Sequence, residues 1–253
     1  VRLLEGSMSI EGRAAIITGG GTGVGRATAL GLAELGVNVA VNYSRSAEDA
    51  MSTADDCEAA GVQAVAIQAD VASNASVVAM VDQAAAALGR IDYLVNSAGT
   101  TVFVPHAELD ALTDESWQRI LGVNLMGAFY ATRACVPHMR TAGAGAVVSV
   151  SSAAGLSGSG SSIPYAASKG ALNTMTKSLA RALAPDVRVN AVAPGIIDTR
   201  WVNDRREFLD SAVEITPLRR AATAEDVGEG IIHLLQATFT TGEVLVIDGG
   251  ILL

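Results

Sequence analysis

Along the chain, short, nearly continuous apolar runs alternate with longer segments in which small and apolar residues recur every three or four positions. The runs lie at 13–18, 37–41, 62–68, 91–96, 146–150, 187–192 and 243–247. The longer segments lie at 24–35, 47–60, 73–88, 114–140, 164–183 and 224–235. The first set predicts strands covered on both faces, and the second predicts helices. Gly36, Gly61 and Gly89 stand where three of those helices must stop, in the position of C-terminal caps.

Alternation at about 25–30 residues per strand–helix unit marks parallel βαβ construction. Seven strands without a compositional break predict an α/β fold: one domain over 8–253, a doubly wound seven-stranded parallel sheet with helices on both faces. In such sheets ligands bind beyond the carboxyl ends of the strands, near the point where the winding reverses. Residues 1–7 end in Gly6-Ser7 ahead of Met8 and have the look of a cloning junction, so they are set aside as vector-derived.

Composition narrows the choice of partners. The 253 residues are half hydrophobic and carry 17 basic against 26 acidic side chains, a net charge of −9. Nucleic acids and anionic membranes need clustered Lys and Arg, so neither is expected as a partner. No run approaches the roughly 18 apolar residues of a membrane span. Cys57 and Cys135 lie far apart without a CxxC and read as buried thiols, with the cytoplasm as the default compartment. His106, His138 and His233 are scattered, and no metal is expected.

Candidate chemistry falls at the ends of the predicted strands. After the first comes Thr18-Gly19-Gly20-Gly21-Thr22-Gly23-Val24-Gly25, which reads either as a sharp turn or as a cradle for a diphosphate at a helix N-terminus. Its place in the first βαβ unit favours the cradle. Asp70-Val71 follows the third strand, where a carboxylate and an amide could hold an adenine. Asn96-Ser97-Ala98-Gly99 follows the fourth, with residues small enough for a cofactor to approach. The second strand ends in Ser44 and Arg45, with no acid to receive a ribose 2′-hydroxyl. A hydroxyl and a guanidinium suit a 2′-phosphate, which favours NADP(H) over NAD(H), with NAD(H) still open.

Tyr165 and Lys169, four apart behind Pro164 at a helix start, project from one helical face. An ammonium about 4 Å from a phenol could interact by up to ~4 kcal/mol and draw its pKa from ~10 toward ~7. Such a phenol is a proton donor and acceptor near neutrality. Ser152 follows the fifth strand with no GxSxG elbow around it, which suits polarising a carbonyl better than nucleophilic attack. Asn124 interrupts an apolar helical face beside Gly127, and its bland reading is a satisfied buried amide that holds a kink.

Together, Thr18-Gly-Gly-Gly-Thr-Gly23-Val-Gly25, Asn96-Ser-Ala-Gly99, Asn124, Ser152, Tyr165-x-x-x-Lys169 and Pro194-Gly195-Ile-Ile-Asp-Thr199 resemble the short-chain dehydrogenase/reductase family, in order and at its spacings. Ser97 stands where the family more often has a second Asn. The resemblance implies a Rossmann fold and hydride transfer between a nicotinamide and a small carbonyl or alcohol. It makes Tyr165 the acid/base, Lys169 the residue that lowers its pKa and holds the nicotinamide ribose, and Ser152 the holder of the substrate oxygen. It makes Asn124 the anchor of a water in the proton path. It places Gly19, Thr22, Gly23, Val24, Gly25, Ser44, Arg45, Asp70, Val71, Asn96, Ala98, Gly99, Pro194, Gly195, Ile197 and Thr199 against the cofactor.

Residues 196–220 lack a regular pattern and, with Trp201, Phe208 and Ile215, read as a substrate lid, mobile until ligand binds. Many relatives reduce 3-oxoacyl groups on an acidic acyl carrier protein. A chain at −9 repels such a partner unless a local basic patch compensates, for which Arg219 and Arg220 are candidates. That substrate is therefore the second reading, behind a small carbonyl or alcohol. A reading from another class is a catalytically silent NADP-binding regulator. Small-residue helices and the apolar end Ile251-Leu252-Leu253 suggest apolar surface for self-association, and the resemblance implies a homotetramer, with a homodimer as the smaller option.

Overall fold

The computed structural model describes residues 10–202 and 204–253, so the reading of residues 1–7 as vector-derived lies outside the described residues. Strands β1 (Ala14–Thr18), β2 (Asn38–Tyr43), β3 (Ala64–Gln68), β4 (Tyr93–Asn96), β5 (Gly145–Val150), β6 (Val187–Pro194) and β7 (Val244–Ile247) form one sheet. Its order is β3-β2-β1-β4-β5-β6-β7, with every neighbouring pair parallel. This is the expected doubly wound, seven-stranded sheet. The winding reverses between β1 and β4, and the crevice that this opens lies beyond their carboxyl ends.

The runs are nearly continuous in apolar residues because successive side chains enter two different cores. Ala15 and Ile17 of β1 join Val39, Val41, Val95 and Val148 on one face, while Ala14 and Ile16 join Ala40, Leu94 and Val147 on the other. Helices α1 (Gly23–Glu34), α2 (Ala47–Ala59) and α9 (Ala224–Gln236) cover the first face. Helices α3 (Asn74–Leu88), α5 (Ala128–Thr141) and α7 (Ile163–Leu183) cover the second. Cys57 and Cys135 are buried in opposite cores, and burial pushes their thiols up to about 11 and about 12. Gly36 and Gly89 end their helices in the left-handed conformation, as their positions predict.

Two predicted elements differ from what forms. The segment 114–140 is not one helix: α4 (Asp114–Leu121) passes through a π-helical turn, Gly122–Gly127, before α5 begins. Asn124 causes the break by bonding to backbone outside the helix, and Gly127 allows it, because a Cβ there would sit 3.0 Å from Val71. The stretch 196–220 is more regular than expected, with a 3₁₀ turn, Arg200–Val202, and the helix α8 (Arg206–Ile215). A one-turn helix, α6 (Ala154–Ser157), also follows β5.

Candidate active site

The turn after β1 is held flat against the end of β4. The Thr18 hydroxyl accepts from the N–H groups of Ser97 and Ala98, both at 3.1 Å, which ties the two strand ends together. Asn42, buried near the end of β2, accepts from Gly19 N–H at 3.3 Å through its side chain and from Gly20 N–H at 3.0 Å through its carbonyl. Gly19 has φ +65°, and a Cβ on it would lie 2.9 Å from Ala98 Cα. A Cβ on Gly25 would collide with the Gly19 carbonyl. Glycine is therefore required at both positions by close approach. Thr22 precedes α1 without making a side-chain cap, which leaves the first-turn amides around Val24 and Gly25 for an anion.

Thr18, Val71, Asn96, Ala98, Asn124 and Lys169 line a narrow crevice beyond the strand ends. Asn96 donates to Thr132 and Ser149 at 3.4 and 3.3 Å, while its buried Oδ1 has no partner. A buried acceptor without a donor is costly unless a ligand supplies one. An orphaned acceptor, a glycine cradle and free helix-start amides fit a dinucleotide. Asp70 lies exposed at the rim and uses its carboxylate on Ala72 N–H at 2.9 Å.

Ser44 and Arg45 are exposed where β2 ends. The nearest following acids are Glu48 and Asp49, in the first turn of α2. Asp49 is engaged by Arg200 through two bonds of 2.7 and 3.0 Å, which hold its carboxyl below the usual range. Pro194 and Gly195 continue β6: the Pro194 carbonyl accepts from Ala153 N–H at 2.8 Å, and Gly195 packs onto Asp248, where a Cβ would find 2.9 Å. Ile197 bridges to Ala222, and the Thr199 methyl lies 3.6 Å from the place of a Cβ on Gly23. Residues 194–199 thus run from the end of β6 to the glycine-rich turn.

The segment after β5 is clamped to α7. Ser151 donates to Asn173 Oδ1 at 2.6 Å, and a Cβ on Gly155 would lie 2.6 Å from the Lys169 backbone. This contact sets Ser152, whose hydroxyl accepts from Ala154 N–H at 3.2 Å, close enough to Tyr165 to favour its phenolate. One helical turn on, the buried Lys169 donates from Nζ to the Val150 carbonyl at 2.7 Å and lies 5.7 Å from the Tyr165 ring centroid.

The expectation that Lys169 draws the phenol down toward neutrality needs correction. Burial pushes Tyr165 up to about 12, opposed only in part by the neighbouring Ser152 hydroxyl. Burial also pulls Lys169 down to about 8. Desolvation dominates, and the ammonium is directed at the Val150 carbonyl. At neutral pH the site holds a protonated phenol beside a largely charged amine.

Asn124 follows its bland reading. Its Oδ1 accepts from Thr100 N–H at 2.8 Å, and its Nδ2 donates to the Thr100 carbonyl and Ser168 Oγ, both at 3.0 Å. Ser168 in turn donates to the Tyr165 carbonyl at 2.7 Å. The side chain links the Thr100 loop to α7.

Sequence reasoning overlooked Asn42 as a brace, although a polar residue at the end of an apolar strand was the available signal. It also missed the attachment of the lid. Trp201 stacks edge-on against Tyr165 with ring centroids 5.9 Å apart, and Phe208 meets Phe103 at 5.8 Å. Arg219 and Arg220 do not form a spare basic patch. Arg220 is paired with Asp226 through bonds of 2.5 and 2.9 Å, and Arg219 bonds to the Glu214 carbonyl. Among the described residues, no three His, Cys, Asp or Glu side chains gather as a metal would require, and no helix is long and apolar enough to cross a membrane.

Comparison with known proteins agrees with this geometry. The model of the short chain dehydrogenase family matches residues 13–210. A protein of Streptomyces violaceoruber, named as ketoacyl reductase 2 of the granaticin polyketide synthase, is 46% identical over 95% of this chain and 96% of its own. The 3-oxoacyl-[acyl-carrier-protein] reductase of Staphylococcus epidermidis is 34% identical over 94% of this chain and 98% of its own. Among solved structures, the NADPH-dependent 3-quinuclidinone reductase of Rhodotorula rubra superposes with a TM-score of 0.89 at 30% identity, covering 96% of this chain and 92% of that one. With its strand-end glycines, its Ser152–Tyr165–Lys169 wall and these relatives, the chain belongs to the short-chain dehydrogenase family of oxidoreductases.

Proposed function

We propose that this chain is an NADP(H)-dependent oxidoreductase that interconverts a carbonyl and an alcohol, with Tyr165 as the acid/base. The observation that carries the reading is Tyr165 next to Ser152, with the buried Lys169 Nζ 5.7 Å from its ring centroid, beside a crevice suited to a dinucleotide. The bound nicotinamide supplies the hydride in reduction and accepts it in oxidation. Ser152 then holds the substrate oxygen, and Tyr165 gives that oxygen its proton or takes it back. A phenol near 12 arrives protonated at any physiological pH, which suits the reductive direction. Lys169 keeps positive charge next to that proton and faces the side on which the nicotinamide ribose would lie.

Gly19, Thr22, Gly23, Val24 and Gly25 would hold the diphosphate, with Asp70, Val71, Asn96, Ala98 and Gly99 on the adenine and ribose side. Pro194, Gly195, Ile197 and Thr199 would hold the carboxamide. Ser44 and Arg45 would take the 2′-phosphate. This preference is supported by the missing acid at the end of β2, by the engagement of Asp49 with Arg200, and by the NADPH dependence named for the Rhodotorula rubra enzyme. Loss of absorbance at 340 nm from NADPH with a carbonyl panel is the test. No oxidation with any carbonyl, despite tight NADPH binding, would favour the silent regulator instead.

A 3-oxoacyl thioester is the second substrate reading, favoured by the names of the two curated relatives. Pairing of Arg220 with Asp226 weakens the basic patch that an acidic carrier protein would need, while Arg219, bonded to a backbone carbonyl, keeps its charge. We further propose a cytoplasmic homotetramer, supported by the exposed Phe239, Val246, Leu252 and Leu253. A light-scattering mass of one chain would refute that assembly.

A further inference from the structure

The geometry points to a substrate whose carbonyl is joined to a planar aromatic ring, selected by an aromatic enclosure centred on Trp201. This inference rests on the reading of Tyr165 as the acid/base. Aromatic residues are scarce in the chain, four Phe, two Trp and four Tyr, yet four of them form two pairs, Tyr165–Trp201 and Phe103–Phe208, joined through the Phe103 loop bonded to Ser161 at the start of α7. Trp201 and Phe208 are also large rings left substantially exposed, 47% and 39%, on a segment held above the cleft. Exposed aromatics gathered beside a reacting group call for an occupant of like surface.

The indole reaches the reacting phenol itself. Its ring lies 5.9 Å from that of Tyr165 at 67°, and its edge lies beside Gly99, where a Cβ would be in ordinary contact at 3.6 Å. A group whose oxygen meets Tyr165 must therefore pass beside Trp201. The second pair continues the enclosure. Phe103 and Phe208 stand nearly perpendicular at 82°, and the Arg205 guanidinium lies 4.6 Å from the Phe103 centroid. The Phe103 loop is fixed in turn to the start of α7, with Val104 N–H donating to the Ser161 carbonyl at 2.9 Å and the Thr101 and Ser161 hydroxyls 2.6 Å apart. One aromatic pair is thus anchored on the catalytic helix, and the other on the loop bonded to it.

Ring stacking depends on a flat π-face, so it separates a planar ring from a saturated ring of similar bulk. Acetophenone and cyclohexyl methyl ketone make that comparison. Comparing wild type with Trp201→Leu, which keeps apolar bulk, cancels the intrinsic difference in reactivity between the two ketones. The expected result is a fall of roughly five- to tenfold in the acetophenone/cyclohexyl methyl ketone ratio of kcat/KM in Trp201→Leu. Calorimetric titration of both ketones into both proteins should show the same loss of preference in Kd. A ratio unchanged by Trp201→Leu in both measurements overturns the inference. Absence of NADPH oxidation with either ketone, while titration still shows the Trp201-dependent preference, overturns the assigned reaction and leaves the aromatic enclosure standing.

Discussion

The two walls of the active-site cleft are built by opposite means. The α7 wall is buried and tightly cross-linked: Lys169 to Val150, Ser151 to Asn173, Asn124 to Thr100 and Ser168, and Gly155 in backbone contact with the helix. The lid wall hangs on exposed contacts: Arg200 to Asp49 across the cleft, Trp201 on Tyr165, Phe208 on Phe103, with Leu209 the one buried residue of α8. In the proposed reading, the proton chemistry falls on the first wall and substrate contact on the second. The contrast teaches that rigidity here comes from buried hydrogen bonds with well-separated partners in sequence, while the lid remains free to part from the site at little cost.

Breaking the rigid wall should be expensive. Asn124→Ala strands the Thr100 amide and removes the tie to Ser168, so a loss of about 3 kcal/mol in unfolding free energy is expected by denaturant titration. Turnover should fall with it, because the Tyr165 end of α7 loses its brace.

Lys169 sharpens the same contrast through pH. Its folded pKa, about 8, lies below the unfolded value of 10.5, so between these the unfolded chain binds more protons and wild-type stability rises with pH. The penalty for burying the ammonium is fully present below pH 8 and is lifted as pH rises above it. The stability of Lys169→Met relative to wild type should therefore decline by about 2 kcal/mol between pH 7.5 and pH 9.5. A constant difference would mean that Lys169 titrates normally.

The lid latch should behave oppositely. Arg200 and Asp49 are largely or partly exposed, so Arg200→Gln or Asp49→Asn should cost little stability. Either change should raise KM for the carbonyl while leaving the melting temperature nearly unmoved. A large drop in melting temperature would place the latch in the rigid wall after all.

The same division decided what the amino-acid pattern could reveal. The sheet was legible because each strand is apolar on both faces, and Tyr165, Lys169 and Ser152 were legible as rare side chains at helical or strand-end spacing. The π turn was not, since it depends on Asn124 finding Thr100 and Ser168, positions remote in sequence. Nor was α8, which offers one buried position and so carries little periodic signal. The expected tuning of Tyr165 failed for a third reason. Spacing places Lys169 near the phenol, but burial and the Val150 carbonyl determine what that proximity does.

Tyr165→Phe tests the account most directly, because it removes one hydroxyl and keeps the ring beneath Trp201. The account predicts that kcat for carbonyl reduction by NADPH falls roughly 10²–10⁴-fold. Cofactor Kd should shift by less than about threefold, under 1 kcal/mol. A variant that kept kcat within about tenfold of wild type, or about 1.4 kcal/mol of barrier, would show that the proton comes from elsewhere.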